Sequence, residues 1–92
     1  MHIYKESKYS NSLDNILDYI ALDSLNRSKQ FNRQLQKEIY TLPNMPYKFR
    51  KSHYYNDENV RDMIFKGYTI PYLINIEHDS ILLLDIFKWV KK

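Results

Sequence analysis

The sequence predicts an α+β domain in which a helical hairpin covers one face of an antiparallel sheet, and three features carry that expectation. Tyr68, Ile70, Tyr72, Ile74 and Ile76 recur at every second position, the period at which strand side chains return to the same face of a sheet. Two upstream stretches carry apolar residues at helical spacing instead. Short polar turns divide Val60 to Phe87, so that region reads as a three-stranded antiparallel meander.

In chain order, His2 to Tyr9 reads as a short strand around Ile3 that joins the edge of the sheet. Ser10-Asn11-Ser12 then offers several helix N-caps, and Leu13, Ile16, Leu17 and Ile20 follow at the i, i+3, i+4, i+7 spacing of one helical stripe. Asp23-Ser24 or Asn26 breaks and recaps the chain. Phe31, Leu35, Ile39 and Leu42 make a second stripe that ends before Pro43. Each helix is apolar on one side only, so the Tyr/Ile face of the meander is the surface both must cover. Within the meander, Lys66-Gly67 supplies the first turn, where the only glycine takes a positive φ at little steric cost, and Glu77-His78-Asp79-Ser80 supplies the second. The alternate set, Gly67, Thr69, Pro71, Leu73 and Asn75, is smaller and more polar, which predicts a face left open to solvent or a partner.

A chain of 92 residues makes one small domain, with a net stability of about 5 to 10 kcal/mol. One glycine and three prolines argue against a linker-rich or disordered chain. The formal charge of +3 favours an anionic partner only mildly, because 14 basic residues face 11 acids. With no cysteine the fold rests on packing, which suits a reducing cytoplasm. MHIYKESKY lacks the apolar core of a secretion signal, and the run Ile81 to Leu84 is far too short to span a bilayer, so no membrane association is expected.

Any catalysis here would have to come from positive charge and tyrosine. His2, His53 and His78 stand apart without companions at metal-ligand spacing, and no phosphate-binding loop or nucleophile motif occurs, so neither a metal nor another cofactor is expected. Asp57, Glu58 and Asp62 are not spaced as paired catalytic carboxylates. The segment Pro43 to Asn59 interleaves Lys48, Arg50 and Lys51 with Tyr47, Phe49, Tyr54 and Tyr55, the residue types that meet phosphates and stack on bases; equally, its aromatics can simply pin a loop to the domain. On the second helix Lys29, Arg33 and Lys37, spaced by four, form a basic stripe.

The order strand, helical hairpin with LDNILDYIALDS, basic second helix, FRKSHYYNDENVRDMIFKGYTIPYLIN and a closing ILLLDIF strand resembles the RelE/ParE superfamily of toxins from bacterial type II toxin-antitoxin systems. The resemblance covers nearly the whole chain, and VRDMIFKGYTIPY and YIALDS are its most specific pieces. It implies a single toxin domain over residues 1–92, with the helical hairpin packed on a twisted antiparallel sheet. It also implies a cognate antitoxin that wraps the toxin in a hetero-oligomer, and one of two activities. RelE-like members cleave messenger RNA on the ribosome with basic residues and a tyrosine or histidine, whereas ParE-like members inhibit DNA gyrase without evident hydrolytic chemistry.

Two departures bear on that choice. After Tyr72 the superfamily commonly places an arginine or lysine, and here stands Leu73, which cannot neutralise a phosphate. In the closing strand, where nucleolytic members tend to carry a histidine, arginine or tyrosine cluster, Asp85 has the wrong charge, although Lys88, Lys91 and Lys92 remain. The reading therefore leans to a non-catalytic gyrase inhibitor over a metal-independent endoribonuclease using Arg50, Lys51, His53, Arg61, Lys66 and Lys88, with an attenuated toxin that keeps only antitoxin binding as a third possibility. Met63, Leu73, Phe87 and Trp89 are the expected apolar anchors for antitoxin or target, with Arg33 and Lys37 as charged contacts.

Overall fold

Helix α1 (Ser7–Asp23) begins a turn earlier than its serine and asparagine caps predict, because tertiary contacts set its start. The preceding strand, β1 (His2–Lys5), ends where the Glu6 N–H donates to the Leu83 carbonyl at 2.9 Å. The chain turns there into the helix with no side-chain cap, and the extra turn carries Tyr9 into the core at 0% exposure. The structure is a computed structural model and describes residues 1–88.

Ser24 both ends α1 and starts α2 (Leu25–Ile39), its Oγ accepting the Arg27 N–H at 3.2 Å. Ser28 then ties the two helices by donating to the Leu17 carbonyl at 2.7 Å. Phe31, Leu35 and Ile39 are buried as their spacing predicts. Leu42 keeps its place in the core from a 3₁₀ turn (Leu42–Asn44), since Pro43 cannot extend the α-helix.

The meander appears as β2 (Val60–Phe65), β3 (Tyr68–Asn75) and a closing strand split into β4 (Ser80–Leu83) and β5 (Phe87–Lys88). Lys66 and Gly67, with φ of 47° and 84°, make the tight turn between β2 and β3; both residues take the positive φ that a type I′ hairpin turn requires. The sheet runs β1-β4-β3-β2, with β5 also on β3. It is mixed, because β1 lies parallel to β4 while every other pair is antiparallel. Two helices on this sheet give the expected α+β fold.

The split in the closing strand is a one-residue bulge. Leu83 stands opposite Tyr72 but Phe87 stands opposite Thr69, so the three residues between them in the closing strand face only two of β3. Asp85 holds the bulge: its Oδ1 accepts from Ser12 Oγ at 2.9 Å and from the Ile86 N–H at 2.8 Å, and Lys8 Nζ lies 3.5 Å from Oδ2. The acid that fits no phosphate site is thus a clamp between sheet and α1. Asp85→Ala is expected to lower stability by about 1 to 2 kcal/mol, which for a domain of this size is a melting shift of roughly 4 to 16 °C. A calorimetric scan within 1 °C of the parent would contradict it.

Burial differs from simple alternation in two places. Ile76, expected on the core face, is 62% exposed, because β3 ends at Asn75 and the turn carries Ile76 off the sheet. Thr69 and Pro71, expected on the open face, are buried: Phe87 lies opposite Thr69 and carries Tyr54 edge-on at 4.9 Å between ring centroids, so the chain covers that end of the face itself. Met63 pairs with Ile70 on the core side at 1% exposure. It is a packing residue, and no partner can use it as an anchor without unfolding the domain.

Burial pushes the Tyr9 hydroxyl up to about 12, an effect that nearby Gln36 only partly offsets. A raised folded-state value stabilises the fold below the unfolded value near 10, and that contribution is lost as pH rises from about 10 to 12. Tyr9→Phe should therefore resist alkaline unfolding better than the parent in that window, as read by circular dichroism against pH.

Candidate functional site

The helices occupy one face of the sheet, and the site candidates scatter over the other face, one strand edge, the hairpin turn and α2. Across the helix-free face, Val60, Leu73, Leu82 and Tyr4 lie on one rung through β2, β3, β4 and β1. Val60 is buried, Leu73 and Leu82 are half-buried, and Tyr4 is 56% exposed. The next rung adds Pro71 and Leu84, joined by the Leu84 N–H to Pro71 carbonyl bond of 2.9 Å. Leu73 therefore sits in a continuous, half-exposed apolar strip. Tyr4, Leu82 and Leu84 were not singled out from the sequence, although the alternation of Leu82 and Leu84 with the buried Ile81 and Leu83 carries the signal.

The Pro46–Ser52 stretch builds the edge. Arg61 lies beneath the Tyr47 ring, 4.9 Å from its centroid, and its Nη1 donates to the Phe49 carbonyl at 3.1 Å. Tyr47 in turn donates to Asn59 Oδ1 at 2.9 Å, and Tyr72 donates its hydroxyl proton to the Pro46 carbonyl at 2.7 Å. Burial raises the Tyr72 pKa, an effect the Arg61 guanidinium partly offsets. Its proton is held, which is the opposite of what a general base needs. Asp62, at 1% exposure, accepts the His53 backbone N–H at 3.1 Å, while its other oxygen and the Arg61 Nε have no hydrogen-bond partner among the described residues.

These bonds sort the expected basic residues. Lys51 bridges to Arg61 across the edge of β2 and lies 3.9 Å from Glu58. Arg50 and His53 are exposed beside it, Arg50 as part of the same edge. Lys66 stands at the hairpin turn, where it bonds to Gln34 of α2. Lys88 pairs with Tyr68 on the side of β3 away from β2. The six do not converge on one point. Arg33 and Lys37 are exposed on α2, on the opposite side of the molecule from Leu73, and Trp89, Lys91 and Lys92 lie outside the described residues. Among the described residues no group of three or more His, Asp or Glu is placed to hold a metal ion, and no helix is long and apolar enough to cross a membrane.

A family model described as the ParE toxin of the type II toxin-antitoxin system parDE matches residues 6–88. The chain belongs to the ParE toxin family. Among solved structures, this ParE-family chain is similar to one from the chromosomal ParDE toxin-antitoxin system of P. aeruginosa, with a TM-score of 0.79 at 18% identity, covering 98% of this chain and 97% of that one. It is also similar to a chain of the intact E. coli RelBE toxin-antitoxin complex, with a TM-score of 0.68 at 14% identity, covering 98% of both chains. At such identities the likeness is one of fold. The comparison with curated proteins returned no match.

Proposed function

We propose that this ParE-family toxin arrests growth by binding and inhibiting DNA gyrase, without hydrolytic chemistry of its own, and that a cognate antitoxin holds it inactive by covering the helix-free face of the sheet. The observation that carries this reading is the apolar rung Val60, Leu73, Leu82 and Tyr4, which offers hydrocarbon where RNA would need a cation. A half-buried apolar strip flanked by rings suits a protein partner, because interface affinity comes from desolvated apolar cores with aromatic anchors. The ribonuclease candidates support the same choice from the other side, since Arg61 is spent on the Phe49 carbonyl and Lys88 lies on the side of β3 away from the β2 edge that carries Arg50. Leu73 and Phe87 lie on the proposed antitoxin surface. Arg33 and Lys37 enter it only if the antitoxin wraps around an edge of the sheet.

The test is induction without the neighbouring antitoxin gene, with plasmid topology and message integrity followed over the first minutes. Relaxed plasmid with intact message is the expected result. Cleaved message with normal supercoiling would replace this reading by the RelE-like one, and normal growth at full expression would leave an attenuated toxin.

A further inference from the structure

We infer that the outer edge of β2 from Asp62 to Phe65 is a docking site for an extended acidic peptide segment, which adds one short strand to the sheet. The chain itself begins that strand. Asp62 N–H donates to the Arg50 carbonyl at 3.2 Å and Ser52 N–H to the Val60 carbonyl at 2.8 Å, so residues 50–52 cover the first half of the edge. Residues alternate in direction along a strand, and since Asp62 N–H points outward, so do the Asp62 carbonyl and both backbone groups of Ile64. Among the described residues these three groups have no hydrogen bond. The edge is half closed by the protein and half open, and an open edge is a template for another strand.

Two further observations say what completes it. Beside the open half lies a pocket of about 600 Å³ lined by Lys48, Phe49, Arg50, Asp62, Ile64 and Gly67, with the Ile64 side chain 46% exposed. A strand pairing with Ile64 would pass along this pocket and lay an apolar side chain on Phe49 and Ile64. The charges that line it are Lys48 and Arg50; neither makes an ion pair among the described residues, and the one acid, Asp62, is buried. Backbone pairing supplies the adhesion, the pocket selects one apolar side chain, and the cations select acidic neighbours. The site stands whatever the toxin's target is.

The test uses the whole protein and a capped octapeptide of alternating glutamate and threonine with one central leucine; the same peptide with lysine for glutamate is the control. At millimolar acidic peptide, hydrogen exchange of the Ile64 amide should slow at least tenfold, while the lysine peptide leaves it unchanged. Ile64→Pro removes the outward donor at a position where an edge strand tolerates proline, and should abolish binding with the hairpin intact. Should that variant not fold, Arg50→Glu serves in its place and should weaken the acidic peptide at least tenfold. Equal binding of both peptides, protection of β1 amides instead, unchanged Ile64 exchange, or protection explained by self-association in sedimentation would each overturn the inference.

Discussion

Ile74→Asp is expected to leave no cooperative unfolding transition. Ile74 is 2% exposed, pairs with Ile81, and lies on the face that carries Tyr72 and Ile70 against the helices. A carboxylate there loses its hydration without any partner, a cost of several kcal/mol against a total stability of about 5 to 10. Ile76→Asp is the control that makes the result specific. By alternation alone the two isoleucines are equivalent, but Ile76 is mostly exposed and its substitution should stay within about 0.5 kcal/mol. Melting curves of the two variants side by side decide it, and equal destabilisation would mean that the turn after Asn75 is misplaced.

Leu73→Arg should fold and should be more toxic than the parent when expressed without antitoxin. Leu73 is half-buried between Val60 and Leu82, so an arginine can lay its stem along that strip and keep its guanidinium in water. The restored charge would pair with a phosphate or carboxylate of the target, a contact worth roughly 1.5 to 3 kcal/mol when partly shielded, which is about ten- to hundredfold in binding. Growth arrest at a correspondingly lower inducer level, read beside a melting curve, is the expected outcome. A folded variant of unchanged potency would remove this position from the toxic surface, and an unfolded one would show that the strip is core.

The site was less legible than the fold for a reason visible in particular residues. Leu73 departs from the cation that the superfamily resemblance implies after Tyr72, but its apolar neighbours Leu82 and Tyr4 come from other strands, β4 and β1. Met63 looked like an anchor because a methionine in a strand carries no mark of which face it takes. Its pairing with Ile70 settles that. Asp85 looked like a defect in a phosphate site until the bulge and Ser12 gave it a structural partner.

What the sequence by itself determined is local: the two helical stripes, the alternation along β3, the positive-φ turn at Lys66-Gly67, and hence an α+β domain with a helical hairpin on a sheet. These follow from side-chain periodicity and backbone sterics within a few residues. Only the tertiary structure decided the parallel pairing of β1 with β4, the early start of α1 at Ser7, the bulge at Asp85 and the half-closed edge of β2 beside residues 50–52. Each of these brings together backbone groups or side chains distant in the chain, and is selected by burial and hydrogen-bond satisfaction across the whole domain, for which no period or motif in a single stretch can stand in.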